Sequence, residues 1–177
     1  MYKSAVAAIL AGAVLFPAAA ADSELYVNGG LAIFDAEGAN INALNLRGGV
    51  EFYELFGAEF EAAFGLGAED VGEFDDAQLE VENQLSGVFV GRYPVLPNAD
   101  VLGRIGYTTG ELQTSVSGVS SDAEIDGFAF GFGGEYMFTE ALGIRTDYTR
   151  IEVDNDEVDG GLNVFSIGGV FKFGEVR

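Results

Sequence analysis

The sequence predicts an all-β fold, an eight-stranded antiparallel up-and-down barrel that crosses a membrane with its strands. The first observation is the segment 126–138, where Phe128, Phe130, Phe132, Tyr136 and Phe138 occupy even positions and Ala129, Gly131, Gly133 and Glu135 occupy odd ones. Because successive side chains of a strand point to opposite faces, this strand has one aromatic face and one small face. The pattern is typical of a strand between lipid and a narrow barrel interior. Two further observations, the spacing of the connections and the placement of charges, extend the prediction to the whole chain.

Period-two alternation of residue type marks eight segments as strands. They are Leu25–Phe34, Leu44–Tyr53, Phe56–Leu66, Val81–Tyr93, Val101–Thr109, Gly127–Phe138, Leu142–Arg150 and Leu162–Phe173. The connections after the second, fourth and sixth segments are short, whereas the others are longer, polar and acidic. The Ser-rich segment from Ser115 to Asp122 is predicted to be the mobile tip of one long loop. Short and long connections that alternate in an even-numbered antiparallel set indicate a transmembrane barrel.

The charged residues of these strands fall on the face opposite the large apolar ones. That face carries five basic and five acidic residues: Arg47, Glu51, Glu59, Glu61, Arg92, Arg104, Glu135, Arg145, Asp147 and Lys172. The residues between them are mostly Gly, Ala and Ser. Opposite charges in a low-dielectric interior must pair, because an unpaired buried ion is costly. The sequence therefore predicts a structural charge network in the lumen and an apolar outer surface in contact with lipid.

A soluble, secreted barrel of the lipocalin type is the structural alternative, with a lumen that binds a ligand. Its water-exposed face would then be the one that carries small residues and few charges. A soluble surface is normally dense in Lys, Glu and Thr, so the pattern favours the barrel in lipid.

The first 21 residues have the layout of a cleaved secretory signal peptide. Lys3 precedes the apolar run 5–16, Pro17 ends that run, and small residues follow at 18–21. The remaining residues, 22–177, are predicted to form a single domain. Its formal net charge is −22, since the whole chain carries −21 and only Lys3 is lost. This balance argues against nucleic acid as a partner.

The chain contains no Cys and no His. Without Cys there is no disulfide scaffold, and without His the commonest general base, the Ser–His pair and the usual zinc ligand are missing. Glu59 and Glu61 share one face, but basic residues accompany them, so we interpret them as structural. We therefore expect no enzyme activity, no cofactor and no metal site.

The strand pair GFAFGFGGEYMFTEALGIRTDYTRI resembles two consecutive strands of the small eight-stranded outer-membrane β-barrels, the OmpA/OmpX-like family. The last strand, NVFSIGGVFKF, is similar to the C-terminal assembly signal of that family, with Phe165, Ile167, Phe171 and Phe173 in alternation. The chain departs from the family pattern in the four residues that follow Phe173. The resemblance implies a location in the outer membrane of a Gram-negative bacterium and contact with the barrel assembly machinery.

These observations predict an integral outer-membrane protein, a monomer in contact with membrane lipid and lipopolysaccharide. Its role would be structural, or the display of acidic external loops, and its filled lumen would leave no free pore. The alternative function is a narrow porin-like channel for small solutes or ions. As a further hypothesis, the loop acids could bind divalent cations that bridge to lipopolysaccharide phosphates.

Overall fold

The computed structural model describes residues 23–36, 39–52, 55–67, 69–70, 77–116, 119–153 and 161–176. Its strands are β1 (Ser23–Ala36), β2 (Ala39–Phe52), β3 (Phe56–Gly65), β4 (Glu69–Asp70), β5 (Ala77–Leu96), β6 (Ala99–Val116), β7 (Val119–Met137), β8 (Leu142–Val153) and β9 (Gly161–Val176). The predicted signal peptide lies outside the described residues. Among the residues that the structure does describe, no helix is long and apolar enough to cross a membrane.

Eight long strands form one closed antiparallel barrel. Each pairs with its neighbours in the order β3-β2-β1-β9-β8-β7-β6-β5, and a further pairing between β3 and β5 closes the ring. The two-residue β4 pairs with β5 outside that ring. The first and last strands meet along their length, from Ser23 opposite Val176 to Asp35 opposite Asn163. The predicted all-β class and eight-stranded antiparallel barrel are confirmed.

Several strands are longer than predicted, and the largest extensions lie toward one end of the barrel. We call the end of the barrel that carries the connections after β2, β5 and β7 the turn end, and the opposite end the far end. The predicted long loops after the first and fifth segments are wrong. Pairing continues to Ala36 opposite Ala39 and to Val116 opposite Val119, so most of the Ser115–Asp122 segment is strand rather than loop tip. Polar residues there suggested loops, but backbone pairing does not require apolar side chains.

At the far end, three strands extend beyond the closed ring. The pairing of β3 with β5 ends at Gln84, and that of β7 with β8 ends at Gly127. Beyond those points, residues 77–83 of β5, 110–116 of β6 and 119–126 of β7 continue as three paired strands, which we call the far-end sheet, and the short β4 pairs with its β5 strand. Seven or eight residues span roughly 25 Å at the rise of a strand.

The two faces of the strands separate as alternation predicts. Large apolar side chains cover the outer surface of the barrel. Among them, Tyr93, Phe89 and Phe138 have at least 65% of their surface exposed when the protein is considered alone. Aromatic side chains near the turn end also face outward, with Phe56, Phe171 and Phe173 exposed. The lumen takes the buried side chains of every barrel strand, so its contents form the candidate site.

Candidate functional site

Six charged side chains form a closed ring across the middle of the lumen. Arg145 lies 2.5 Å from Glu59 and 3.0 Å from Asp147, and Arg104 lies 2.6 Å from Glu61 and 3.3 Å from Glu59. We call this group the central ion ring, and its members are Arg145, Glu59, Arg104, Glu61, Arg47 and Asp147.

Arg47 closes the central ion ring. Its Nε lies 2.5 Å from Glu61 and its Nη1 lies 2.5 Å from Asp147, so every cation in the ring contacts at least two acids and every acid contacts at least two cations. The side chains are at most 6% exposed. Strands β2, β3, β6 and β8 supply them, and three positive charges therefore balance three negative ones across the barrel. The charge-assisted hydrogen bonds compensate the loss of hydration that burial imposes.

A second, smaller ring lies toward the turn end. Arg92 contacts Glu135 at 2.9 Å and Glu51 at 3.2 Å, and Lys172 contacts the same two acids at 3.6 and 3.3 Å. We call these four residues the turn-end ion ring. Two further acids approach it, Glu24 at 3.4 Å from Lys172 and Asp100 at 3.8 Å from Arg92. With these two acids, the turn-end group has a formal charge of −2 and is partly open to solvent.

Tyr26 joins the two rings. Its hydroxyl donates to Glu59 of the central ion ring, and the guanidinium of Arg92 lies 5.1 Å from the centre of its aromatic ring. The ring rests on the bare backbone of Gly49, where a Cβ atom would collide with it. The absence of a side chain at Gly49 thus permits this close approach, and Tyr26 connects β1 with β2, β3 and β5.

An apolar plug fills the lumen on the far-end side of the central ion ring. Its largest members are Phe34, Ile41, Ile151, Leu162 and Val164, each at most 7% exposed. Between plug and ring lies a polar layer that includes Asn28, Asn45, Gln84, Ser86 and Thr108. A cavity of about 10 Å³ lies where plug and polar layer meet, with room for about one water molecule.

All ten residues of the sequence-predicted charge network lie in one of the two ion rings. The residues that sequence reasoning did not name are Tyr26, Glu24, Asp100, the polar layer and the apolar plug. Alternation could have found Tyr26 and Phe34, because they share the even, inward positions of β1 with Asn28. Their size and apolar character gave no reason to place them in the lumen. The four residues of the predicted assembly signal, Phe165, Ile167, Phe171 and Phe173, all face outward on β9 and are 41–58% exposed.

The described residues offer no obvious chemistry beyond ion pairing. They contain no group of three Asp, Glu, His or Cys residues placed to hold a metal ion. The carboxylate pair Glu59 and Glu61 lies within the central ion ring, where each carboxylate accepts from two arginines. The acidic segments 71–76 and 154–160 lie outside the described residues.

A closed barrel with an apolar exterior and a charged, filled lumen is the architecture of a small outer-membrane β-barrel. The family model described as outer membrane protein beta-barrel domain matches residues 4–173. The chain therefore belongs to the outer membrane protein β-barrel family, as the resemblance in its sequence implied. The search of curated proteins finds no match.

Solved structures with the same fold are outer-membrane barrels of low sequence identity. OprG of Pseudomonas aeruginosa is 15% identical, with 87% of this chain and 97% of that chain covered at a TM-score of 0.65. Ail, the attachment invasion locus protein of Yersinia pestis, is 16% identical, with 87% and 99% covered at a TM-score of 0.61. Neisserial surface protein A is 11% identical, with 85% and 97% covered at a TM-score of 0.63. At these identities the likeness concerns the fold.

Proposed function

We propose that the protein is a non-enzymatic surface-interaction barrel of a Gram-negative outer membrane, held rigid by its ion rings. The turn end would face the periplasm and the far end the exterior. The observation that carries the proposal is the far-end sheet, which continues three strands beyond the closed barrel. A protein that only anchored itself in lipid would not need this extension, because strands of about 9–11 residues suffice to cross the membrane.

The edge of the far-end sheet is the part suited to a partner. In the described part of the chain, residues 119–126 of β7 pair with β6 on one side only. An open edge can accept a further extended strand through its main-chain groups. The sequence between Arg104 and Arg145 contains no basic residue, and it places Asp122, Glu124 and Asp126 in the edge strand. A basic, extended segment of a partner therefore fits this edge by charge.

The alternative function, a narrow channel, is opposed by the lumen. The central ion ring reaches across the barrel, and the apolar plug lies between it and the exterior. Eight strands leave an interior that side chains alone can fill. Planar-bilayer recording tests this directly: we expect no stepwise conductance from the folded barrel, and reproducible steps would favour the channel.

The remaining parts of the proposal concern assembly. The signal peptide would be cleaved near residue 21, the assembly machinery would recognise the outward aromatic residues of β9, and the barrel would remain a monomer in contact with lipid and lipopolysaccharide. The periodic outward exposure of Phe165, Ile167, Phe171 and Phe173 supports the recognition step.

Binding at the edge of β7 is tested with the barrel reconstituted in lipid vesicles. The probe is a fluorescent eight-residue peptide of alternating Lys and Val, and the control peptide alternates Glu and Val. We expect anisotropy to rise with the basic peptide alone. Successive backbone N–H groups of a strand point to opposite sides, so one of the two variants Ser121→Pro and Asp122→Pro, made separately, removes an N–H group of the open edge and should weaken binding.

The control for these variants is their migration on a gel with and without boiling. A folded barrel with an altered edge keeps the mobility shift of the unmodified protein. Equal binding of both peptides, or unchanged binding by both folded proline variants, would contradict the proposed interaction edge.

A further inference from the structure

We propose that Arg150, at the far end of β8, binds the phosphate group of a lipid in the outer leaflet. The inference relies on the proposed function for one point, the orientation of the far end toward the exterior. It names a site on the lipid-facing surface of the barrel, separate from both the lumen and the edge of β7.

Arg150 lies at the boundary between the apolar band and the polar far end. On the outward side of β8, Arg150 is the next residue after Tyr148 in the direction of the far end. Its opposite residue on β9, Asn163, lies beyond Phe165 in the same direction. On β7 its opposite residue is Phe130, which is 46% exposed. The guanidinium is therefore bordered by aromatic side chains at the level where hydrocarbon gives way to headgroups. Long basic side chains at this level direct the charged group toward the headgroups.

The guanidinium is held in place before any ligand arrives. Its Nη1 donates to the carbonyl oxygen of Gly161 and to Oδ1 of Asn163, both at 3.1 Å. The hydroxyl of Tyr148 donates to the same Oδ1 at 2.8 Å, which orients the Asn163 amide. A Cβ atom on Gly161 would collide with the guanidinium, so the group rests on bare backbone. A positioned guanidinium loses less conformational entropy when it binds an anion.

Arg150 differs from every basic residue of the lumen in its partners. Each of the five lumen cations contacts at least two carboxylates within 4 Å. Among the described residues, Arg150 has no carboxylate that close, and its hydrogen bonds to Gly161 and Asn163 both come from Nη1. An outward cation with no carboxylate within 4 Å among the described residues, placed at headgroup level, is suited to a lipid phosphate, which guanidinium groups bind through paired hydrogen bonds.

The neighbouring Glu152 makes the site directional. It lies two residues farther along the outward side of β8, opposite Gly161, and is exposed. A phosphate that approaches from the solution at the far end would meet this carboxylate. A phosphate carried by a lipid approaches from the membrane side instead. The arrangement thus favours a phosphate anchored in the leaflet over an anion free in solution.

The test measures lipid retention by native mass spectrometry of the folded barrel in detergent micelles. The probes are diphosphoryl lipid A, the same lipid after enzymatic removal of both phosphates, and inorganic phosphate as a competitor. We expect the unmodified protein to retain the phosphorylated lipid over the dephosphorylated one. Arg150→Gln should reduce that preference roughly tenfold, the effect of one charge-assisted contact.

Two variants control for fold and for charge. Arg150→Lys keeps the charge without the paired geometry and should retain part of the preference. Glu152→Gln removes the negative charge beside the site and should raise retention of the phosphorylated lipid. All variants must keep the gel mobility shift of a folded barrel.

Three results would overturn the proposal: equal retention of both lipids by the unmodified protein, full retention by folded Arg150→Gln, or displacement of lipid A by millimolar inorganic phosphate. Peptide binding at β7 is a separate readout, so failure of the proposed function can be distinguished from failure of this site.

Discussion

The two ion rings of the lumen use the same chemistry under different conditions. The central ion ring is complete, with three cations and three acids whose side chains are at most 6% exposed. The turn-end ion ring has two cations and two acids. The two accessory acids raise the number of carboxylates around these cations to four. The accessory side chains are 30% exposed for Glu24 and 26% for Asp100. Charge balance is therefore strict only where water is excluded.

The difference shows what burial requires of a charged group. In the middle of the lumen an extra carboxylate would have neither a cation nor water, and its cost would be several kcal/mol. At the turn end, water stabilises the excess negative charge, and each contact there contributes less. The central ion ring should therefore control the stability of the barrel, while the accessory acids should affect it little.

The largest effect is expected from Glu59→Gln in the central ion ring. The substitution removes the acid shared by Arg104 and Arg145 and leaves buried positive charge uncompensated. Loss of one member of a buried ion pair costs about 3–5 kcal/mol. Urea titration of the folded barrel in lipid vesicles, followed by gel mobility, measures the free energy of unfolding.

The matched control is Glu152→Gln, the same chemical change at an exposed position of β8. We expect that variant to unfold within about 0.5 kcal/mol of the unmodified barrel. If Glu59→Gln behaves like Glu152→Gln, the central ion ring does not hold the barrel together.

An intermediate effect is expected from Gly49→Ala, which tests the link between the rings. The new methyl group would collide with the ring of Tyr26, and the displacement would disturb contacts to both Glu59 and Arg92. Overpacking of this kind costs about 1–3 kcal/mol. Gly48→Ala is the control, because a Cβ atom there meets no atom within 4 Å. Equal unfolding midpoints in urea for the two variants would show that Tyr26 tolerates displacement.

The sequence predicts three features for one physical reason: the barrel class, the number of strands and the identity of the charged lumen residues. Alternation assigns a face to each residue, and charge balance then decides which face is inside. The strand ends do not follow, because residues 110–116 and 119–126 pair through backbone groups, and such pairing does not require an apolar face. Tyr26 and Phe34 could not be assigned by hydropathy, since a large side chain fits either the lipid or the lumen.

The smallest effect is expected from Glu24→Gln at the rim of the turn-end ion ring. Lys172 keeps Glu51 and Glu135 as partners, and the excess negative charge of the group falls by one. For a partly exposed pair the loss is at most about 1 kcal/mol, and relief of repulsion from the remaining acids offsets it. Salt screens interactions near water more than buried ones, so any difference from the unmodified barrel should shrink when urea titrations are repeated at high salt. The difference caused by Glu59→Gln should persist under the same conditions. A salt-independent loss for Glu24→Gln as large as that for Glu59→Gln would mean that the turn end excludes water as fully as the middle of the lumen does.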